Sequence, residues 1–133
     1  MWRRYLLAHA RITRTLESEL LEAESLSLAS YDVLVQLSEA GGALRMTDLA
    51  EAVLLSRSGL TRLVERLQQI GLVERHPAVE DGRGVRAVIT AAGQDRLRVA
   101  AHTHLAGVTA HFAQPLGAVG LGRLDSALTA LLA

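Results

Sequence analysis

The chain has 133 residues, half of them apolar but only 3% aromatic, and its 14 basic and 14 acidic residues cancel. That length suits one domain with a modest core of Leu, Val and Ala, which favours packed helices. There is no cysteine, so disulfides, thiolate zinc sites and thiol redox sensing are excluded.

The zero net charge hides an uneven distribution. Residues 1–14 carry four Arg and no acid, residues 15–54 one Arg and eight acids, and residues 56–90 six Arg and four acids. For binding, where the charge sits matters more than its sum. The Arg-rich N-terminus lacks a continuous apolar run, so neither a signal peptide nor a membrane span is expected, and the chain reads as soluble and cytoplasmic.

Residues 2–24 suit a helix, with Trp2, Tyr5, Leu6, Ile12, Leu16 and Leu20 as its apolar stripe. "SLSLAS" breaks it. Ser27 is placed to cap a second helix over Leu28–Ala40, whose inner face uses Tyr31, Leu34, Val35 and Leu37, and Gly41-Gly42 stops it. Thr47 before Asp48 reads as the cap of a short helix ending near Leu54. Ser56 then caps a helix to about Gln69, with Gly71 where a left-handed C-cap is wanted. Two short helices joined by a tight turn suggest a helix-turn-helix.

From Leu72 the apolar period changes to two. Leu72–His76 and Val85–Thr90 are strand-like, with "PAVEDGRG" as the turn between them: a hairpin, or wing. Thr90 caps a long helix from Ala91 to about Gln114, which Pro115 is expected to close. Along it Ala101, Leu105, Val108 and Phe112 make a seam for another helix. Gly117, Gly120 and Gly122 loosen the chain before a last amphipathic helix, "RLDSALTALLA". The fold class expected is mostly α with a small β-wing.

The Ser56–Gln69 helix carries the chemistry. Leu60, Leu63, Val64, Leu67 and Ile70 fall on one side of a helical wheel. Ser58, Thr61, Arg62, Glu65 and Gln69 lie opposite, with Arg57 and Arg66 on the shoulders. A helix entering a DNA major groove needs short donors near its N-terminus and Arg for guanine edges and phosphates. Ser56, Arg57, Ser58, Thr61, Arg62 and Arg66 meet that need; a solvated Arg-rich face is the plain alternative. At the hairpin tip Arg83 stands between Gly82 and Gly84, where it can enter a narrow minor groove, braced by Asp81.

These stretches resemble the MarR (multiple-antibiotic-resistance regulator) family of winged-helix transcription factors. "LSLASYDVLVQL" is similar to the family's second helix, "MTDLAEAVLLSRSGLTRLVERLQQIGLVER" to its helix-turn-helix and first wing strand, and "EDGRGVRAVITAAG" to its wing. The resemblance implies a triangular homodimer on one chain, 1–133. Residues 28–90 would form the winged DNA-binding region, and residues 1–26 and 91–133 the dimerisation helices. It also implies double-stranded DNA as partner and, in many members, a small phenolic or anionic effector bound between the two regions. The family often has a second Arg directly after the wing Arg; here that position is Gly84, and Arg86 is the nearest substitute.

Other chemistry is poorly supported. His104 and His111 lie about 10 Å apart along one helix, too far to share an ion, and His102 points to another side. No metal or cofactor is therefore expected. Trp2, Tyr5, His9, Tyr31, His104 and His111 are candidates for lining an effector crevice, against the plainer reading as helix-packing residues. "GAVGLG" has no preceding strand, and no paired carboxylates, Walker loop or zinc motif appear, so an enzyme is not expected. The rival reading is a winged-helix protein-interaction module that binds no DNA.

Overall fold

The computed structural model describes residues 1–54, 58–78 and 83–133. Helix α1 runs Trp2–Glu24 and α2 runs Leu28–Glu39. Between them Ser25 takes a left-handed turn, and Ser27 caps α2 as expected, its Oγ accepting from the Ser30 N–H at 3.0 Å. The carboxylate of Glu17 on α1 accepts the N–H of Leu28, so the two helices are joined by a part-buried hydrogen bond as well as by packing.

Strand β1 is Ala43–Arg45, α3 is Met46–Ala52 and α4 is Leu60–Gln69. Strand β2 (Val73–Pro77) and strand β3 (Val85–Ile89) form the hairpin, and β1 adds to the outer side of β3, giving an antiparallel sheet in the order β1-β3-β2. The two-strand wing is therefore a three-stranded sheet. Registration pairs Leu44 with Ala87 and Ala87 with Arg75. The core lies where α1, α2, α3 and α4 meet the sheet, with Leu20, Leu34, Leu37, Leu49, Val64, Leu67 and Val73 closed from water. On α2 the buried residues are Leu28, Ser30, Asp32, Val33, Leu34 and Leu37, while Tyr31 and Val35 are only half-buried.

Two expected caps are corrected. Thr47 lies inside α3; Arg45 holds the cap position and supplies no side-chain cap. Helix α4 starts at Leu60 rather than near Ser56, because Gly59 at the cap position has φ 73°, a left-handed conformation that few other residues tolerate. Its far end behaves as expected. Gly71 (φ 80°) donates to Gln68 and Leu72 donates to the Leu67 carbonyl at 2.9 Å, the paired closing bonds of a Schellman turn. Ile70, expected on the inner side, is exposed because the helix has already ended.

Helix α5 spans Ala91–Val108, and Thr90 caps it through the Gly93 N–H at 3.0 Å. Thr90 also donates to the Gly71 carbonyl at 2.6 Å, and Gly93 packs so tightly that a Cβ there would overlap the Leu72 carbonyl. The Thr-x-x-Gly stretch thus seats the long helix against the start of the wing. Pro115 does not close this helix. The chain passes through a π-helical turn, Thr109–Ala113, into α6, Gln114–Leu132, and breaks helical geometry only at Gly117. A π turn widens the hydrogen-bond ladder just where the proline ring would otherwise strike the preceding turn. The expected seam on α5 is also turned: Ala100 and Gly107 are buried, whereas Leu105 is 60% exposed.

Candidate nucleic-acid interface and effector cleft

Helix α4 buries Leu60, Leu63, Val64 and Leu67 and leaves Thr61, Arg62, Glu65, Arg66, Gln68 and Gln69 exposed. Its amphipathic split is the one expected of a helix docked on a core and facing outward with hydroxyl and guanidinium groups. Ser58 stands exposed in the turn that opens it. Ser56 and Arg57, expected to donate beside it, lie outside the described residues, as does Asp81 at the wing tip.

The wing is tied to this helix by Arg75 on β2. Its Nε donates to Gln68 Oε1 at 2.6 Å and its Nη1 lies 3.5 Å from Glu65 Oε1. The ion pair is exposed and of small energetic worth. Its geometric consequence is larger, because Glu65 and Gln68 are engaged within the protein. That leaves Thr61, Arg62, Arg66 and Gln69 as the outward chemistry of α4. Arg83 is exposed where the wing re-enters β3. Arg86 is half-buried in β3, in register with Arg45 on one side and His76 on the other, so three cationic-capable side chains share one sheet face. Arg86 is thus part of the sheet face, not a second wing-tip group beside Arg83.

The six aromatic and histidine candidates fall in three places. Trp2, Tyr5 and His9 form a ladder on exposed α1, with ring centroids 5.6 and 6.2 Å apart. His111 Nε2 lies 2.5 Å from Glu19 Oε1, in a concavity between α1 and the π turn that also includes Gly107. Tyr31 and His104, from α2 and α5, meet each other with centroids 4.7 Å apart, in a cleft of about 510 Å³ between α1, α2 and α5. Burial pushes the His104 imidazole below its ordinary pKa, so its neutral form is favoured, and its Nδ1 is buried with no hydrogen-bond partner among the described residues. Burial, then the nearby Glu39 carboxylate, pushes the Tyr31 phenol upward.

Sequence reasoning missed two residues here. Arg75 looked like any strand Arg; its alternation toward α4 was the available signal. Asp32, only 8% exposed, also lines the cleft. Its Oδ2 accepts the Leu54 N–H at 2.7 Å and its Oδ1 the Gln36 amide at 3.1 Å. Nothing local in the sequence announces a bond that reaches 22 residues ahead. Among the described residues, no group of three or more His, Asp or Glu is placed to hold a metal ion, and no helix is long and apolar enough to cross a membrane.

The sequence model of the MarR family matches residues 24–84, from the end of α1 to the wing. No curated protein matches the sequence. The structure is similar to AbsC, a MarR family transcriptional regulator from Streptomyces coelicolor. Their TM-score is 0.88 with 36% identity, covering 98% of this chain and 88% of AbsC. Sco3205, a MarR family regulator of the same organism solved in complex with DNA, gives a TM-score of 0.89 and 30% identity, covering 98% of this chain and 86% of that one. BpsR of Bordetella bronchiseptica, whose DNA binding is regulated by 6-hydroxynicotinic acid, shares the fold at a TM-score of 0.86 and 18% identity, covering 98% of this chain and 91% of BpsR. With a winged helix-turn-helix, an outward Arg- and Thr-bearing helix and this likeness along nearly its whole length, the chain belongs to the MarR family of DNA-binding transcriptional regulators.

Proposed function

We propose that the chain is a homodimeric, effector-responsive repressor, acting in the cytoplasm on a pseudo-palindromic operator. The observation that carries the DNA reading is the outward face of α4, where Thr61, Arg62, Arg66 and Gln69 stand free of the core while Arg75 fixes the wing beside them. Thr61 and Gln69 supply hydrogen-bonding groups for base edges, and Arg62 and Arg66 suit guanine or phosphate. Arg83 is the wing group for the minor groove.

The terminal helices support self-association. Trp2, Leu6 and Leu7 on α1, Leu105 on α5, and Val119, Leu131 and Leu132 on α6 are exposed in the single chain. So much apolar surface on one region is the mark of an interface, and a two-fold dimer closes it economically. The Tyr31–His104 cleft is the proposed effector site, by its position between the terminal helices and the winged region; BpsR offers a precedent for a small aromatic effector.

The test is selection of bound duplexes from a random pool, followed by a salt titration. Enrichment of a two-fold motif, bound more weakly as salt rises through counterion release, is expected. A protein-interaction module would enrich no motif and show no salt-sensitive duplex binding.

A further inference from the structure

The charged side chains that line the Tyr31–His104 cleft are two carboxylates, Asp32 and Glu39, and no Arg lines it among the described residues. Asp32 faces two ways. It forms part of the cleft wall, and its Oδ2 holds the backbone N–H of Leu54, two residues past the end of α3 on the path to α4. A charged acceptor makes a stronger hydrogen bond than a neutral one, and the Asp32 end of this bond is buried although Leu54 itself is exposed. Val53, the residue before, is already used to close α3 on the Leu49 carbonyl, so Asp32 fixes the chain where the helix-turn-helix turns.

We propose that Asp32 couples the cleft to the reading helix, and that the cleft's effector is an uncharged or cationic aromatic hydrogen-bond donor, which competes with Leu54 for the Asp32 carboxylate. This rests on reading the cleft as an effector site. A donor group on the ligand draws Asp32 away from Leu54, loosens the approach to α4 and lowers DNA affinity. An aromatic carboxylate meets like charge at buried Asp32 and at the cleft's exposed rim residue Glu39, and is disfavoured. The aromatic preference comes from the Tyr31 and His104 rings on the cleft wall.

Three probes of one shape test this with the full-length protein: benzamide, the benzamidinium cation and benzoate. Binding is read by thermal shift and calorimetry, and DNA release by duplex titration. The expected order is benzamide and benzamidinium binding at least about tenfold more tightly than benzoate, since like-charge contacts are penalised, with DNA affinity falling as the cleft fills. Glu39→Gln should narrow the gap to benzoate yet leave release by benzamide intact. Asp32→Asn should narrow the gap and also abolish release by benzamide, although benzamide still binds. Benzoate binding as tightly as benzamide overturns the ligand class. Undiminished release from Asp32→Asn overturns the coupling. If no probe binds, the effector reading falls and this inference with it, while salt-sensitive duplex binding without probes reports on the DNA reading separately. Should Asp32→Asn fail to fold, the benzoate gap in the wild type and in Glu39→Gln still decides the ligand class, and wild-type DNA affinity unchanged by saturating benzamide still overturns the coupling.

Discussion

Replacing Arg62 with alanine separates DNA reading from folding. Arg62 is exposed on α4, whereas the guanidinium that ties the wing is that of Arg75. An exposed side chain away from caps and core changes stability by about 0.5 kcal/mol or less, so the melting temperature should hold. Its contribution to DNA is larger. A good bidentate contact to a base is worth about 1–3 kcal/mol of discrimination, which corresponds to roughly a 5- to 150-fold weaker Kd on the selected operator. Binding to random duplex should change by only a few fold, and preference at one operator position should relax. The assay is fluorescence anisotropy of labelled operator and random duplexes at several salt concentrations. Equal losses on both duplexes, with the salt slope reduced by about one, would make Arg62 a phosphate contact. No loss on either duplex would refute α4 as the reading helix.

Arg83→Ala should weaken binding to operator and random duplex alike and flatten the salt dependence by about one charge; unaltered affinity on both would refute a wing that touches DNA. Gly93→Ala should cost about 1–3 kcal/mol, because the added methyl meets the Leu72 carbonyl and the Ile89 side chain, and an unchanged melting temperature would refute that close seating. His104 contributes a pH dependence of defined sign. Its folded-state pKa lies below the ordinary value of 6.5, so as pH falls below 6.5 the unfolded chain takes up the proton first. The folded state then loses stability until the pH passes the folded pKa, below which the loss is constant. Melting of the wild type should therefore drop more between pH 7 and pH 5 than melting of His104→Gln, and parallel drops would contradict a half-buried imidazole kept neutral in the fold.

Much of the fold is written locally. Ser27 and Thr90 are short polar residues ahead of apolar periods, and both cap through the expected backbone N–H. Gly71 is where the α4 period ends, and it closes the helix. What is not local was missed. Strand β1 is three residues with no alternation of its own, and it exists because Ala43, Leu44 and Arg45 pair with β3 some 40 residues later. Pro115 reads as a stop under helix rules, yet a π turn immediately before it makes room for the ring. Ser56 is a better generic cap than Gly59, but the left-handed backbone at Gly59 decides where α4 starts.

The candidate DNA face shows the same division. Thr61, Arg62 and Arg66 follow from a helical wheel, because amphipathicity is a one-helix property. That Glu65 and Gln68 engage Arg75 at the surface depends on where the wing packs, which no wheel contains. The cleft was less legible still. Tyr31 and His104 come from different helices and meet only in three dimensions, while Trp2, Tyr5 and His9 stack on a face the cleft does not include.

The proposed two-fold dimer would present its two α4 helices one turn of B-form DNA apart, about 34 Å. Half-site spacing tests it most directly. Once the operator is selected, its two halves are moved apart by five and by ten base pairs, and complex formation is measured by sedimentation with stoichiometry. Two chains per native operator are expected, with a large loss when the five-base-pair insertion rotates the halves to opposite faces of the duplex. Binding indifferent to spacing, or a single chain on each duplex, would contradict it.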